Sequence, residues 1–401
     1  MNQAAPKQER LIVFLLGTVQ FVNILDFMMI MPLGPDFSAQ LHIPSALLGL
    51  LGSAYAVSAS VAGMAGAWLL DRMDRKKALL LALFGLVLGT AAGGLAIGFK
   101  SMLLTRFLAG MFGGPATSLA ISALTDVVPP ERRGRAMGAM MSAFSIASVF
   151  GVPLGLWLAR HGGFRLPFFV VAGLGLCICV LIQVVLPPLR DHLSMRQETP
   201  LNPLGLFRSP SVRWALLLVA VSNVAAFSII PNLAPYLINN CGMPRVDLEY
   251  IYAIGGVCTF FSMRYVGSLI DRLGVVPITI LSCIALSGVL ILGFLPEHNL
   301  LPVALLFVGF MISSSSRNVC VGTACSRVPP PNERARYQSY QSAVQHFASA
   351  LGSSMGSLFL HETMDGKLRG ISHLSILSIV FTMSLPILIS FLDKRSRVEQ
   401  H

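Results

Sequence analysis

Apolar residues run in blocks of about twenty, separated by short polar turns, along nearly the whole chain. Twelve blocks can be read, at approximately 11–35, 44–70, 78–99, 102–126, 136–159, 167–187, 213–238, 247–270, 275–295, 300–326, 337–361 and 371–392. A block of about 20 apolar residues spans a bilayer as a helix. The blocks are continuously apolar and do not alternate, which excludes the strands of a membrane barrel. The pattern predicts an all-α membrane protein with twelve transmembrane helices. The longest polar stretch, Pro188 to Val212, holds Arg190, Asp191, Arg196, Glu198 and Arg208. It divides the chain into an N-terminal six-helix bundle (1–187), a cytoplasmic linker (188–212) and a C-terminal six-helix bundle (213–401).

The two halves repeat each other at an offset near 200 residues. The charged turn Asp71-Arg72-Met73-Asp74-Arg75-Lys76-Lys77 returns around Asp271-Arg272. Asn23 falls on Asn223, Pro35 on Pro235, Pro129-Pro130 on Pro330-Pro331, Arg133 on Arg334, and Gly151 on Gly352. An ordered series at one offset marks a duplication, so the two bundles should be pseudo-symmetric.

Composition supports the membrane reading. Only 12% of the 401 residues are charged and 54% are hydrophobic, with a mean hydropathy of +0.72. Soluble domains carry about twice that charge. The net charge of +11 could suit nucleic acid, but the bases sit in turns between apolar blocks, where membrane proteins keep them. With the N-terminus inside, twenty of the 29 Lys and Arg fall on inner segments and six on outer loops. The remaining three, Arg106, Arg264 and Arg317, lie within blocks. That bias places both termini in the cytoplasm. The first block is too long for a signal core and no small-residue cleavage site follows it, so it is a span. The seven cysteines make neither a disulfide framework nor a metal pair. No phosphate-cradling loop or zinc-like cluster appears, so neither an enzyme nor a cofactor is expected.

Polar residues inside the blocks carry the candidate chemistry. Asp26 lies about 22 Å past the inner end of its helix, at 1.5 Å per residue. A charge near the membrane centre costs about 2.5–3.5 kcal/mol on insertion scales. Desolvation disfavours the ionised carboxylate and a nearby cation favours it, so alternation between the two environments would load and release a proton. A permanently paired, structural Asp26 is the other reading. The matching position in the second half is Ala226, so the duplication does not demand an acid there. Arg106 in the fourth block is the expected partner at compatible depth. Arg317 follows four serines, Ser313 to Ser316, and precedes Asn318. Gln338, Gln341, Ser342, Gln345 and Ser349 repeat every three or four residues and make one polar helix face, with His346 beside it. Together these predict a polar, rather basic cavity in the second half; hydrogen-bonding glue between helices is the alternative. The glycines of blocks 2, 3 and 5 let helix backbones approach closely.

The charged turn resembles the loop signature Gly-x-x-x-Asp-Arg-x-Gly-Arg-Lys-Lys of the major facilitator superfamily. Asp71, Arg72, Arg75, Lys76 and Lys77 match it, while Ala67 and Asp74 replace its two glycines. The second copy keeps Gly267, Asp271, Arg272 and Gly274. Arg106 and Gly110 resemble that family's Arg-x-x-x-Gly signature. Gly151-Val152-Pro153-Leu154-Gly155 is similar to the Gly-Pro motif of its drug–proton antiporters, with the proline displaced. The resemblance covers essentially the whole chain. It implies a proton-coupled antiporter that expels a small molecule from a bacterial inner membrane by alternating access, and a monomer is expected. Asp26 and Arg106 would couple the proton. Asn23, Asn223, Arg317, Gln341, Gln345 and His346 would line the substrate path. Asp71, Arg72, Arg75, Asp126, Asp271, Arg272, Gly151, Pro153 and Gly155 would serve the gate. An uncoupled or substrate-driven carrier of an anionic or zwitterionic metabolite or siderophore, and a membrane sensor that moves no cargo, are the alternatives.

Overall fold

The computed structural model describes residues 6–69, 73–189, 205–296, 300–329, 334–363 and 365–399. Asp71, Arg72 and most of the expected linker, 190–204, lie outside them.

Prolines set the first breaks. α1 (Pro6–Met29) stops ahead of Pro32, and the chain restarts as α2 (Gly34–Leu41), with Pro35 in its first turn. Proline disfavours helix in the residue before it and donates no hydrogen bond, but it suits a helix start. The first apolar block is therefore two helices rather than one continuous span. The second half repeats the device with α9 (Pro210–Phe227) and α10 (Ile230–Asn239), where Pro231 opens α10; between the two breaks the chain forms α3 (Leu48–Leu69), α4 (Arg75–Gly94) and α5 (Phe99–Val127). α6 (Pro130–Ile146) runs into a π turn, Ala147–Gly151, and on into α7 (Val152–Gly162). Pro153 leaves the carbonyl four residues back without its helical donor, and the π turn absorbs that fault. α8 (Arg165–Val185) completes the first bundle. α11 (Leu248–Leu273), α12 (Val275–Phe294), α13 (Val303–Ser326), α14 (Arg334–Phe359) and α15 (Ile371–Glu399) complete the second. A small antiparallel ladder, β1 (His361–Glu362) with β2 (Leu368–Arg369), precedes α15.

Among the described residues, eleven segments are long and apolar enough to cross a membrane. The twelfth helix of the fold is α14, whose glutamines, serines and His346 lower its hydropathy. It nonetheless packs along α3 and α9. With twelve crossings, both chain ends lie on one face, the terminal face; the opposite face is the distal face.

The bundles meet along two seams, α3 against α14 and α7 with the π turn against α11. Ser53 Oγ donates to the Ala350 carbonyl at 2.9 Å, and Ser60 Oγ to the Ala343 carbonyl at 2.9 Å. A Cβ on Gly49 would lie 2.1 Å from the Ser353 carbonyl oxygen, so only glycine permits this approach. Three polar ties close the distal end. Arg245 pairs with Asp36 at 2.6 Å, Arg160 with Glu249 at 2.9 Å, and the Ser45 N–H donates to Glu362 at 2.9 Å. The apolar core of the first bundle continues into the distal part of the second, through Leu233, Leu248, Leu290 and Phe307. The terminal part of the second bundle, including Val212, Val266, Val321 and Leu385, forms a separate apolar cluster. Among the described residues, then, the two bundles share their buried apolar core on the distal side.

Candidate functional site

Close packing of α3 on α5 prepares the site in the first bundle. A Cβ on Gly110 would lie 2.2 Å from the Tyr55 carbonyl oxygen, and one on Gly114 would lie 2.1 Å from that of Ala59. The approach brings Tyr55 against Asn23: its hydroxyl donates to Asn23 Oδ1 at 2.6 Å. Asn23 Nδ2 donates in turn to the Gly113 carbonyl and Thr117, both at 2.7 Å. Asn23 is thereby buried and satisfied inside the first bundle.

One turn along α1, Asp26 is fully buried and so is Arg106. Arg106 Nη1 donates to both carboxylate oxygens, at 3.1 and 3.2 Å. Thr90 of α4 donates to Asp26 Oδ1 at 2.7 Å. The guanidinium sits 5.0 Å from the centre of the Phe168 ring, and its Nε has no partner. The pair is thus enclosed by α1, α4, α5 and α8 and shielded from water. An ion pair in such a place is held by its own hydrogen bonds, and losing one member strands the other.

The centre of the molecule is aromatic. Phe27, next to Asp26, packs on Tyr55 at 5.2 Å, on Phe227 of α9 at 5.7 Å and edge-on to His346 of α14 at 6.1 Å between ring centroids. Sequence reasoning missed Phe27 and Phe227. The signal was present, because they stand at the same offset as Asn23 and Asn223.

In the second bundle Arg317 is fully buried on α13. It donates to Thr382 Oγ1 at 3.2 Å, to the Ser222 carbonyl at 3.1 Å and to Asn318 Oδ1 at 3.5 Å, and its Nε has no partner. Asn223 turns to its own helix, donating to the Val219 carbonyl at 2.8 Å, while Ser349 reaches its Oδ1 at 3.5 Å. Gln341 and His346 are half-buried, and Gln345 and Asn318 are exposed.

Of the expected gate residues, Arg75 Nε pairs with Asp126 at the terminal ends of α4 and α5, within the first bundle. Asp271 and Arg272 are exposed at the end of α11. Gly151 closes the π turn, where a Cβ would meet Leu25 of α1 at 2.7 Å; Gly155 lies further along α7, facing Met29. The distal ties named above were not foreseen. Burial raises the carboxyl of Asp36 above its ordinary range, even with Arg245 lowering it.

The model of the Major Facilitator Superfamily matches residues 16–353. A chloramphenicol resistance protein of Streptomyces lividans is 26% identical over 297 residues, covering 74% of this chain and 73% of that one. The inner membrane transport protein YdhP of Escherichia coli (strain K12) is 27% identical over 259 residues, covering 65% and 64%. The fold is similar to that of a bacterial homolog of the human lysosomal transporter Spinster, in an inward-facing, occupied conformation. There the TM-score is 0.73 at 16% identity, over 98% of both chains. Twelve helices in two bundles, a family model that spans most of the length and relatives that are transporters lead to one conclusion: the chain belongs to the Major Facilitator Superfamily.

Proposed function

We propose that the chain is a proton-coupled antiporter that exports a small molecule across a bacterial inner membrane, with both termini in the cytoplasm. The observation that carries this reading is the dry Asp26–Arg106 pair, one residue from the aromatic contact between the bundles. With the distal ties made, Arg106 and Thr90 hold Asp26 as a carboxylate. Opening the distal face parts Phe27 from Phe227 and His346 and so shifts α1 against α5. A carboxylate drawn away from its guanidinium takes up a proton. Closing the distal face restores the pair and releases the proton toward the terminal side, where cargo enters. Asn223, Gln341, Gln345 and His346 line the path beside Arg317, with Asn23 fixing α1 behind them. Arg75 and Asp126, with Asp71, Arg72, Asp271 and Arg272, close the terminal face in the alternate state. The π turn and Pro153 let α7 bend as α1 moves. The names of the chloramphenicol resistance protein and of YdhP support export and an inner-membrane setting.

The test uses everted vesicles from cells expressing the protein or Asp26→Asn, with a panel of antibiotics that includes chloramphenicol. The expected result is uptake driven by an imposed pH gradient in the parent and none in the variant. Equal, gradient-independent movement in both would favour an uncoupled carrier. Binding without flux would favour a sensor.

A further inference from the structure

Among the described residues, Arg106 and Arg317 are the two guanidiniums that lie fully buried in the bundles, and they are provided for differently. Arg106 faces Asp26. Arg317 faces a hydroxyl, a carbonyl and an amide oxygen, and among the described residues no carboxylate pairs with it. A buried charge is normally paired, and leaving one with neutral acceptors is costly. The neutral set is also incomplete. Nε and Nη2 form one edge of the guanidinium, the edge that takes a carboxylate side-on with two parallel bonds. On that edge Nε is empty, while Nη2 donates to the Ser222 carbonyl at 3.1 Å and, stretched to 3.5 Å, to Asn318.

Asn318 is the exposed residue of this group. Its Oδ1 also accepts from Ser222 Oγ at 3.4 Å, so it is loosely held at both contacts. It covers Arg317 on its exposed side.

We propose that this edge of Arg317 is the binding subsite for a carboxylate on the cargo, with Asn318 Oδ1 occupying the place of one carboxylate oxygen until cargo displaces it. The proposal rests on the transport reading above and narrows its substrate class to organic acids. It assigns the two buried arginines different tasks. Arg106 governs a proton on Asp26; Arg317 takes the negative charge of the cargo. Asn318 keeps the empty site from standing as a bare cation, and its amide leaves when a better acceptor arrives. A bidentate carboxylate then fills Nε, which nothing in the resting arrangement satisfies.

The test measures affinity by thermal-shift titration of the purified protein in detergent, using chloramphenicol hemisuccinate and the methyl ester of the same compound, alongside benzoate and methyl benzoate. Acid and ester differ in the charge and little else. The expected result is that at least one acid binds about tenfold or more tightly than its ester, a difference of one decade. Arg317→Gln should abolish that preference. Asn318→Asp should abolish it too, because the new carboxylate occupies the edge from within, and it should raise the unliganded melting temperature. Acids and esters binding alike in the parent, or an acid preference that survives in Asn318→Asp, would overturn the proposal. Flux in the vesicle assay is scored separately, so a protein that binds acids without moving them would refute transport and leave the subsite standing.

Discussion

The Asp26–Arg106 pair makes a quantitative demand on the first bundle. Asp26→Asn removes the negative charge and leaves a fully buried guanidinium with the Gly89 carbonyl at 3.5 Å and the Phe168 ring at 5.0 Å. Neither replaces a carboxylate. Breaking a buried pair from one side costs about 3–5 kcal/mol, because the surviving charge is left unpaired. Two unit charges about 4 Å apart attract by ~4 kcal/mol at an effective dielectric near 20, which agrees in size. Arg106→Gln strands the carboxylate instead, although Thr90 still donates to it. The double variant removes both charges, and its cost should be about that of a buried polar pair, near 1 kcal/mol. The two losses should therefore be far from additive: single costs of about 3–5 kcal/mol each against a double near 1 kcal/mol leave a coupling of about 5 kcal/mol or more. Reversible unfolding of the four proteins in mixed detergent micelles gives the cycle. Additivity within about 0.5 kcal/mol would refute the reasoning, since it would mean that the two groups are energetically independent in the folded protein.

Three further outcomes follow from the seams and the faces. Gly49→Val places a branched side chain where even a Cβ would lie 2.1 Å from the Ser353 carbonyl, so α3 and α14 must separate. Spin labels across the distal seam should report a wider separation, and an unchanged distance would show that the seam is not closed by backbone approach. The Asp36 carboxyl is raised from 3.8 by burial in the closed distal face, and it returns toward the ordinary range when that face opens to water. The closed form therefore binds the proton more tightly. Lowering the pH through the window above 3.8 should favour closure, raising it should weaken closure, and Asp36→Asn should flatten the response of the same labels. Asp126→Asn, in contrast, removes an ion pair near the surface, where such pairs contribute about 0–1 kcal/mol. Unfolding stability should hardly change while export slows, and a large loss of stability would mark the pair as a structural tie rather than part of a gate.

The fold was largely legible because apolar length reports a membrane helix directly, and a duplication repeats its landmarks. Pro32 and Pro35 in the first half, with Pro231 and Pro235 in the second, even carried the break that splits each leading span. The site was legible in its charges. Asp26, Arg106 and Arg317 stand out because a bilayer interior makes any charge expensive. Their surroundings were not legible. Whether Asn23 faces the cargo path or Tyr55 depends on the rotation of α1, which the glycines of α5 fix through a close approach that no periodicity records. The distal ties escaped for a related reason. Asp36, Arg160, Glu249 and Arg245 look like ordinary loop or helix-end charges, and only the meeting of two bundles turns them into contacts.

The duplication and the chemistry run along different lines. Packing at the junction respects the pseudo-symmetry. Phe27 meets Phe227, its counterpart, and the two seams are related pairs of helices. Even the distal ties are related, since Arg160 with Glu249 joins the end of α7 to the start of α11, while Glu362 with Ser45 joins the end of α14 to the start of α3. Ionisable groups break the symmetry. Ala226 answers Asp26, and among the described residues the second bundle buries Arg317 with no carboxylate on it. A symmetric scaffold is what lets both faces close by the same kind of contact. In the proposed mechanism the asymmetric charges give each bundle its own load: a negative group for the proton in the first, and a positive group for an anion in the second. Coupling between them then needs no direct bond. In the proposed mechanism it would run through the helices that meet at Phe27 and Phe227, with the acid on α1 and, on α9, the Ser222 carbonyl that anchors Arg317.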